Sequence, residues 1–336
     1  MLAAPYQTQS APEHRMLAPW PAAPAGPRAA ALLPRAVDAW FADHFAWRGP
    51  LVEASFLAQT RAGLKSGAGQ QVIRGKDDWL LLYSGLLGVT GGEVRPDVAR
   101  RYAAFVCQLQ AETRARGARF LFAPAPSTAE IYPGSPARLD SEGDAYPARP
   151  RLAGRAGLRG ADARPAASSD RGQAGAEALP APRQHWTNAG ALVAFDGIAA
   201  ALGQPWSIDA ASLGWRPGKP VDSDLVRLGG AFGLPPELTP EPPQGPDAAP
   251  GKGLDKDLEI SPYPPPFFQP APTAHPVILV IGDSYAADFM GQYFRRAGVS
   301  WAWSHQAECR FDRRIFDRVK PDFVVLAPAS RLESCR

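Results

Sequence analysis

The stretch Val277-Ile278-Leu279-Val280-Ile281-Gly282-Asp283-Ser284-Tyr285 constrains the fold more than any other. Five consecutive aliphatic residues predict a strand buried on both faces, so the sheet that holds it must be covered on both sides. Gly282 breaks the run. From Ala286 to Arg296, apolar residues recur at 286, 289, 290, 293 and 294, the spacing of a helix. The unit is therefore strand, tight turn, helix, with Ser284 in the turn. In a parallel sheet that turn lies at the carboxyl edge, where α/β folds place their ligands. The N–H groups opening the helix face the same spot and can stabilise charge developing on a substrate oxygen. The turn has two readings: a nucleophilic serine, or an ordinary βα turn in which Asp283 or Ser284 caps the helix.

The rest of the chain supplies further α/β material. Residues 1–34 are rich in Pro and Ala, without a period, and read as an extended arm. A helix rich in large aromatics is predicted from about Ala36 to Lys65, broken near Pro50. Val72 to Leu82 reads as a β-hairpin whose turn is Gly75-Lys76-Asp77-Asp78. Asp97 to Gly117 is an amphipathic helix with Val98, Tyr102, Phe105, Val106 and Leu109 on one face. Ala118 to Ala123 is a short buried strand ended by Pro124. A helix after Thr187 or Asn188 carries Leu192, Phe195, Ile198 and Leu202, and a small one is expected at Ser223 to Leu228. A last buried strand spans Asp322 to Leu326. This order predicts one α/β domain over 35–336, mainly parallel in its sheet and flanked by helices.

Two stretches interrupt that domain. Residues 140–184 contain no Val, Ile, Phe, Met or Trp and cannot bury enough apolar surface to offset the entropy of ordering them. Residues 235–272 hold 13 prolines and read as a long irregular connection.

Charge and cysteine content narrow the function classes. The 36 basic residues nearly balance the 33 acidic ones and form no basic stripe, which argues against a nucleic-acid partner. No pair among Cys107, Cys309 and Cys335 has metal-ligand spacing. Cys107 sits in the amphipathic helix and reads as a buried thiol. Cys309 and Cys335 either pair in an oxidising compartment or stay apart. No run of apolar residues is long enough to span a membrane, and Met1 to Tyr6 lack the basic and apolar regions of a leader. An anchor or leader preceding Met1 in a longer form stays open.

A nucleophilic serine needs a base. Among the five histidines, His14 lies in the arm, His44 in the aromatic helix, His275 in the proline-rich connection, and His305 near Cys309 without an evident partner. His185 stands just before a capped helix, beside Trp186, where an imidazole can project into a cleft.

Gly-Asp-Ser-Tyr at a strand end, together with His185-Trp186-Thr187-Asn188-Ala189-Gly190-Ala191, resembles the SGNH-hydrolase-like polysaccharide O-acetyltransferases of the alginate type, which work in the bacterial periplasm. Further segments are similar: Glu13-His14-Arg15 with Pro19-Trp20-Pro21, Asp43-His44-Phe45 with Arg48, the hairpin Gly75 to Leu80, Ile131-Tyr132-Pro133 and Lys320-Pro321-Asp322. The resemblance covers about residues 11–138 and 185–331. It implies Ser284 as nucleophile, His185 as general base, and a turn of Gly282, Asp283 and Ser284 that forms part of the oxyanion site. It implies acetyl transfer to hydroxyls of an exported polysaccharide, with acetyl groups supplied by a membrane-bound O-acyltransferase and no metal or cofactor. An acetylesterase of the same fold and a catalytically impaired polysaccharide-binding relative are the alternatives.

The chain departs from the family at two places. The family's triad acid lies two residues before the histidine, and here that position is Arg183. Ser127-Thr128 also stand where a polar or basic pair would contact substrate. A slipped reading frame over about 160–184 would explain the first departure. Pro182-Arg183-Gln184 and Gly160 to Arg164 can both be encoded so that the frame one base over reads Arg-Asp and Val-Leu-Thr-Leu, restoring the acid and a missing strand. Resequencing the DNA across codons 160–184 should therefore show a frame that slips and is restored just before His185. An intact frame without an Asp-x-His alternative removes this explanation.

Overall fold

The computed structural model describes residues 18–47, 72–74, 80–82, 96–131, 186–218, 240–242, 252–260, 263–272, 276–287 and 290–329, with a few shorter pieces elsewhere. In chain order its elements begin with β1 (Gln9–Ser10), β2 (Arg15–Met16), α1 (Pro27–His44), β3 (Val72–Arg74) and β4 (Leu80–Leu82). Next come α2 (Pro96–Ala115), β5 (Arg119–Phe122), α3 (Thr128–Ile131), α4 (Asn188–Ala201), β6 (Lys252–Gly253) and β7 (Phe267–Gln269). The last part holds β8 (Val277–Gly282), α5 (Ser284–Ala287), α6 (Met290–Arg296), β9 (Ser300–His305), α7 (Arg314–Val319) and β10 (Phe323–Ala327).

One six-stranded sheet in the order β5-β10-β8-β9-β7-β6 organises these elements. Its first four strands run parallel, and β7 and β6 extend it antiparallel. The expected α/β architecture is present. All six residues of β8 are buried, as a central strand with helices on both faces requires. Alternate residues serve the two faces. Ile278 and Val280 pack with Phe195 of α4, Tyr293 of α6, and Trp301 and Trp303 of β9. Leu279 and Ile281 pack with Phe105 and Leu109 of α2 and Ile315 and Phe316 of α7. Each such aliphatic side chain contributes about 1.5–3 kcal/mol by leaving water.

Asp322, just before β10, fixes register on both sides. It accepts from Val277 N through Oδ2 at 2.8 Å, its own N–H donates to Val277 O at 2.9 Å, and its carbonyl accepts from Arg119 N at 2.9 Å.

Several sequence expectations are corrected. α1 starts at Pro27 rather than near Ala36, inside the stretch read as extended; proline at the first helical turn costs no hydrogen bond, because that N–H has no partner in any helix. The Pro19-Trp20-Pro21 and Asp43-His44 segments meet: Ala18 N donates to Asp43 Oδ2 at 2.7 Å, and the Trp20 and Trp40 rings lie 4.7 Å apart. The strand after α2 is not fully buried, because β5 forms an edge of the sheet. Cys107 is exposed. The buried face of α2 is Phe105, Val106, Leu109 and Thr113, and position 107 points about 200° away from 105. The proline-rich connection contributes β6 and β7, whose Phe267 and Phe268 pair with Trp303 and Ala302 of β9. Ser127 and Thr128 open α3, where Glu130 Oε2 accepts from Ser127 N at 2.6 Å. Cys309 and Cys335 form a disulfide, the first of the two alternatives. All of 140–184, the 75–79 turn and the helix expected at 223–228, apart from Leu225, lie outside the described residues.

α6 packs closest to the sheet at a glycine. A Cβ on Gly291 would fall within the indole ring of Trp301, which is 3% exposed and meets the Phe267 ring edge-on at 5.0 Å. Gly291→Ala should cost about 1–3 kcal/mol or more, read as a lower urea midpoint at unchanged slope. An unchanged midpoint would contradict this packing.

Candidate active site

β8 ends at Gly282, Asp283 makes the turn, and Ser284 opens α5. The glycine is required. A Cβ at 282 would collide with the carbonyl oxygen of Ala327 on β10 and lie 2.7 Å from Ala286 Cβ. The first obstacle is backbone of a central strand and cannot move aside. Ser284 is exposed while Asp283 and Tyr285 on either side are buried, so the turn presents the serine side chain outward. The helix expected from Ala286 begins earlier, at Ser284, and is described as two pieces, α5 and α6.

Asp283 fixes this turn. Its Oδ1 accepts from Tyr285 N at 3.0 Å and its Oδ2 from Ala329 N, beyond β10, at 3.0 Å. Its carbonyl accepts from Ala286 N at 3.1 Å and Ala287 N at 3.2 Å. The expectation that several helix-opening N–H groups converge on a substrate is thereby corrected, because those of Tyr285, Ala286 and Ala287 all bond Asp283.

The start of α4 meets the serine turn from the side. Thr187 caps the helix, its Oγ1 accepting from Gly190 N at 3.1 Å. Trp186 is buried; its indole Nε1 donates to Tyr285 O at 2.9 Å, and its ring meets the Tyr285 ring edge-on at 5.9 Å. The residue after His185 in sequence is thus bonded to the residue after Ser284. His185 itself and Arg183 lie outside the described residues.

Asn188 joins three elements and was missed in the sequence except as a possible cap. It is 4% exposed, and every polar group of its side chain is engaged. Nδ2 donates to Pro240 O at 3.3 Å, Oδ1 accepts from Gln292 Nε2 at 2.7 Å, and its carbonyl accepts from Tyr293 Oη at 2.7 Å. Burial pushes the Tyr293 phenol up, so it stays a neutral donor.

His305 also comes to this edge. It ends β9 in register with Gly282, its ring stacks on Tyr263 at 4.3 Å, and its Nδ1 accepts from Ala307 N at 2.9 Å. The Tyr263 phenol is raised, first by burial and then by its hydrogen bond to Glu308. His44 instead ends α1, where Nδ1 bonds Trp40 O at 2.8 Å. His14 and His275 lie outside the described residues.

Comparison with known proteins agrees with this architecture. Residues 72–295 match the family described as SGNH hydrolase-like domain, acetyltransferase AlgX. Among solved structures, PatB1 of Bacillus cereus with a sulfonyl adduct superposes with a TM-score of 0.50 at 11% identity, over 78% of this chain and 97% of that one. The O-acetyltransferase domain of Pseudomonas putida AlgJ gives 0.45 at 17% identity, over 77% and 91%. AlgX of Pseudomonas aeruginosa gives 0.39 at 14% identity, over 77% and 62%. Among curated protein sequences none matches the chain.

Removing the Asn188 side chain takes away two part-buried hydrogen bonds, one to the Gln292 amide and one to the Pro240 carbonyl. Asn188→Ala should lower stability by about 1–3 kcal/mol, measured by chemical denaturation. A loss below a few tenths would show that the junction is not structural.

Proposed function

Because the chain belongs to the SGNH hydrolase-like AlgX acetyltransferase family, we propose that it acetylates hydroxyls of an exported polysaccharide through an acyl-serine at Ser284. The observation that carries this reading is an exposed serine on a turn braced by a buried aspartate, with Trp186 bonded to Tyr285 O. That bond draws the chain next to His185 toward the serine. His185 is the general base.

The steps follow from that assignment. Ser284 Oγ attacks the carbonyl carbon of an acetyl donor while His185 takes its proton. The Ser284 N–H is the turn's contribution to stabilising the oxyanion. Collapse breaks the bond to the donor oxygen, which leaves with the proton held by His185. A sugar hydroxyl then gives its proton to His185 and attacks the acetyl-serine, forming the sugar ester and restoring Ser284. Water in place of the sugar gives hydrolysis.

Arg183 stands where the family's orienting carboxylate would be, two residues before His185. In a serine protease, loss of that carboxylate's charge alone lowers kcat about 10⁴-fold. The Cys309–Cys335 disulfide supports placement in an oxidising compartment, the periplasm, where a membrane-bound O-acyltransferase supplies the acetyl group. Among the described residues no helix is long and apolar enough to cross a membrane. A boundary at 35 would cut α1 (Pro27–His44), so the arm ends before Pro27, and the α/β chain after it carries 140–184 as an insertion.

The assay is turnover of an acetylated chromogenic ester with and without an oligosaccharide acceptor. Ser284→Ala should abolish turnover, and Arg183→Asp should raise it by orders of magnitude. Activity should fall at low pH, because the base must be neutral. Undiminished turnover by Ser284→Ala would remove the serine from the reaction, and release of acetate without transfer to any sugar would make the protein an esterase.

A further inference from the structure

An open surface depression of about 360 Å³, lined by Trp215, Arg216, Pro217, Gly218 and Pro240, lies on the α4 side of the molecule. We propose that it holds one pyranose unit of the acceptor chain, stacked on Trp215 and hydrogen-bonded by Arg216. This rests on the acyl-transfer reading above and adds a place for the acceptor.

The tryptophan is prepared for stacking. Its Nε1 donates to Ala210 O at 2.8 Å, which fixes the ring plane. The loop before it is tightly made: Asp209 Oδ1 accepts from Ala211 N at 3.0 Å, Ser212 Oγ donates to Asp209 O at 2.7 Å, and Gly214 takes the left-handed conformation at φ +60°. Trp215 is half-buried, with part of its ring against the core beneath α4 and part lining the depression. A fixed indole beside prolines offers an apolar face to the C–H side of a sugar ring with little entropy left to lose.

Arg216 supplies the polar contact. It is exposed, and among the described residues its side chain makes no ion pair. Its backbone is held by paired bonds with Glu241, both 2.9 Å, which fixes the wall of the depression. A guanidinium offers five donors and suits either vicinal hydroxyls or a carboxylate on the ring.

The depression is coupled to the serine turn. Pro240 on its wall accepts from Asn188 Nδ2, and Asn188 bonds Gln292 and Tyr293 of α6 while Trp186 bonds Tyr285. The wall at Pro240, α4 and the serine helices are thus joined through buried and half-buried polar contacts. A sugar seated on Trp215 is held on the same rigid unit as the start of α4.

Calorimetry on the full chain carrying Ser284→Ala, which cannot turn over, tests this. The probes are a hexasaccharide of neutral hexoses and one of hexuronates. At least one should bind, and Trp215→Ala should weaken it about tenfold or more, while Trp215→Phe retains most of the affinity. Arg216→Ala should weaken the hexuronate alone if the guanidinium holds a carboxylate, and both probes if it holds hydroxyls. Arg318→Ala, on α7 across the sheet, should change neither. Binding unaffected by Trp215→Ala, or no binding of either probe, overturns the proposal. Ester turnover that depends on Ser284 is measured separately, so this proposal and the acyl-transfer reading can each fail alone.

Discussion

The serine turn depends on one buried carboxylate. Asp283 holds the N–H of Tyr285 with one oxygen and that of Ala329 with the other. The first bond closes the turn at the start of α5, and the second ties it to the chain leaving β10. Charge-assisted bonds of this kind are stronger than neutral ones, and inside the protein no water competes for them. Gly282 makes the arrangement possible, because only a residue without Cβ lets β8 approach Ala327 so closely. The result is a serine whose backbone is fixed while its side chain stays exposed.

Asn188 does for the helices what Asp283 does for the strands. Its amide and carbonyl meet groups from α6 and from the segment at Pro240. A buried polar group of this kind is costly unless every bond is made, so it selects one arrangement of three elements over neighbouring ones. An apolar contact would tolerate sliding of α4 along α6. Directional bonds do not, and the position of Trp186 against Tyr285 follows from them.

The sheet and the serine turn were legible because their signals are local. A five-residue aliphatic run followed by glycine has few other solutions, and β8 emerged as read. The helix after Thr187 showed its cap and its period. The family resemblance carried His185, which composition and position alone left among five histidines. What stayed hidden depends on pairing between distant segments. β6 and β7 were lost in a proline-rich stretch, because a two- or three-residue strand completing a sheet edge has no period to detect. Asn188 resembled any cap, and its three partners come from residues 240, 292 and 293. Cys107 was misplaced because apolar neighbours in sequence do not share a helix face, whereas residues three or four apart do.

The exit of β9 shows how far the bracing of the serine turn extends. Ala307, Glu308 and Cys309 all have positive φ, at +49°, +54° and +71°. Three consecutive non-glycine residues there cost about 1–3 kcal/mol each, so the surroundings must enforce them. Those surroundings are visible: Ala307 N donates to His305 Nδ1, Arg310 Nε and N both donate to Ala307 O, and Cys309 is bonded to Cys335. The consequence lies one residue earlier. Gln306 N donates to Gly282 O at 2.9 Å, which extends the ladder between β8 and β9 to the last residue before the turn. The serine turn is therefore held from three directions, by the exits of β10 and β9 and by the start of α4. Strain at the β9 exit is the cost of the second of these. The exposed serine can then meet a substrate without its backbone having to reorganise.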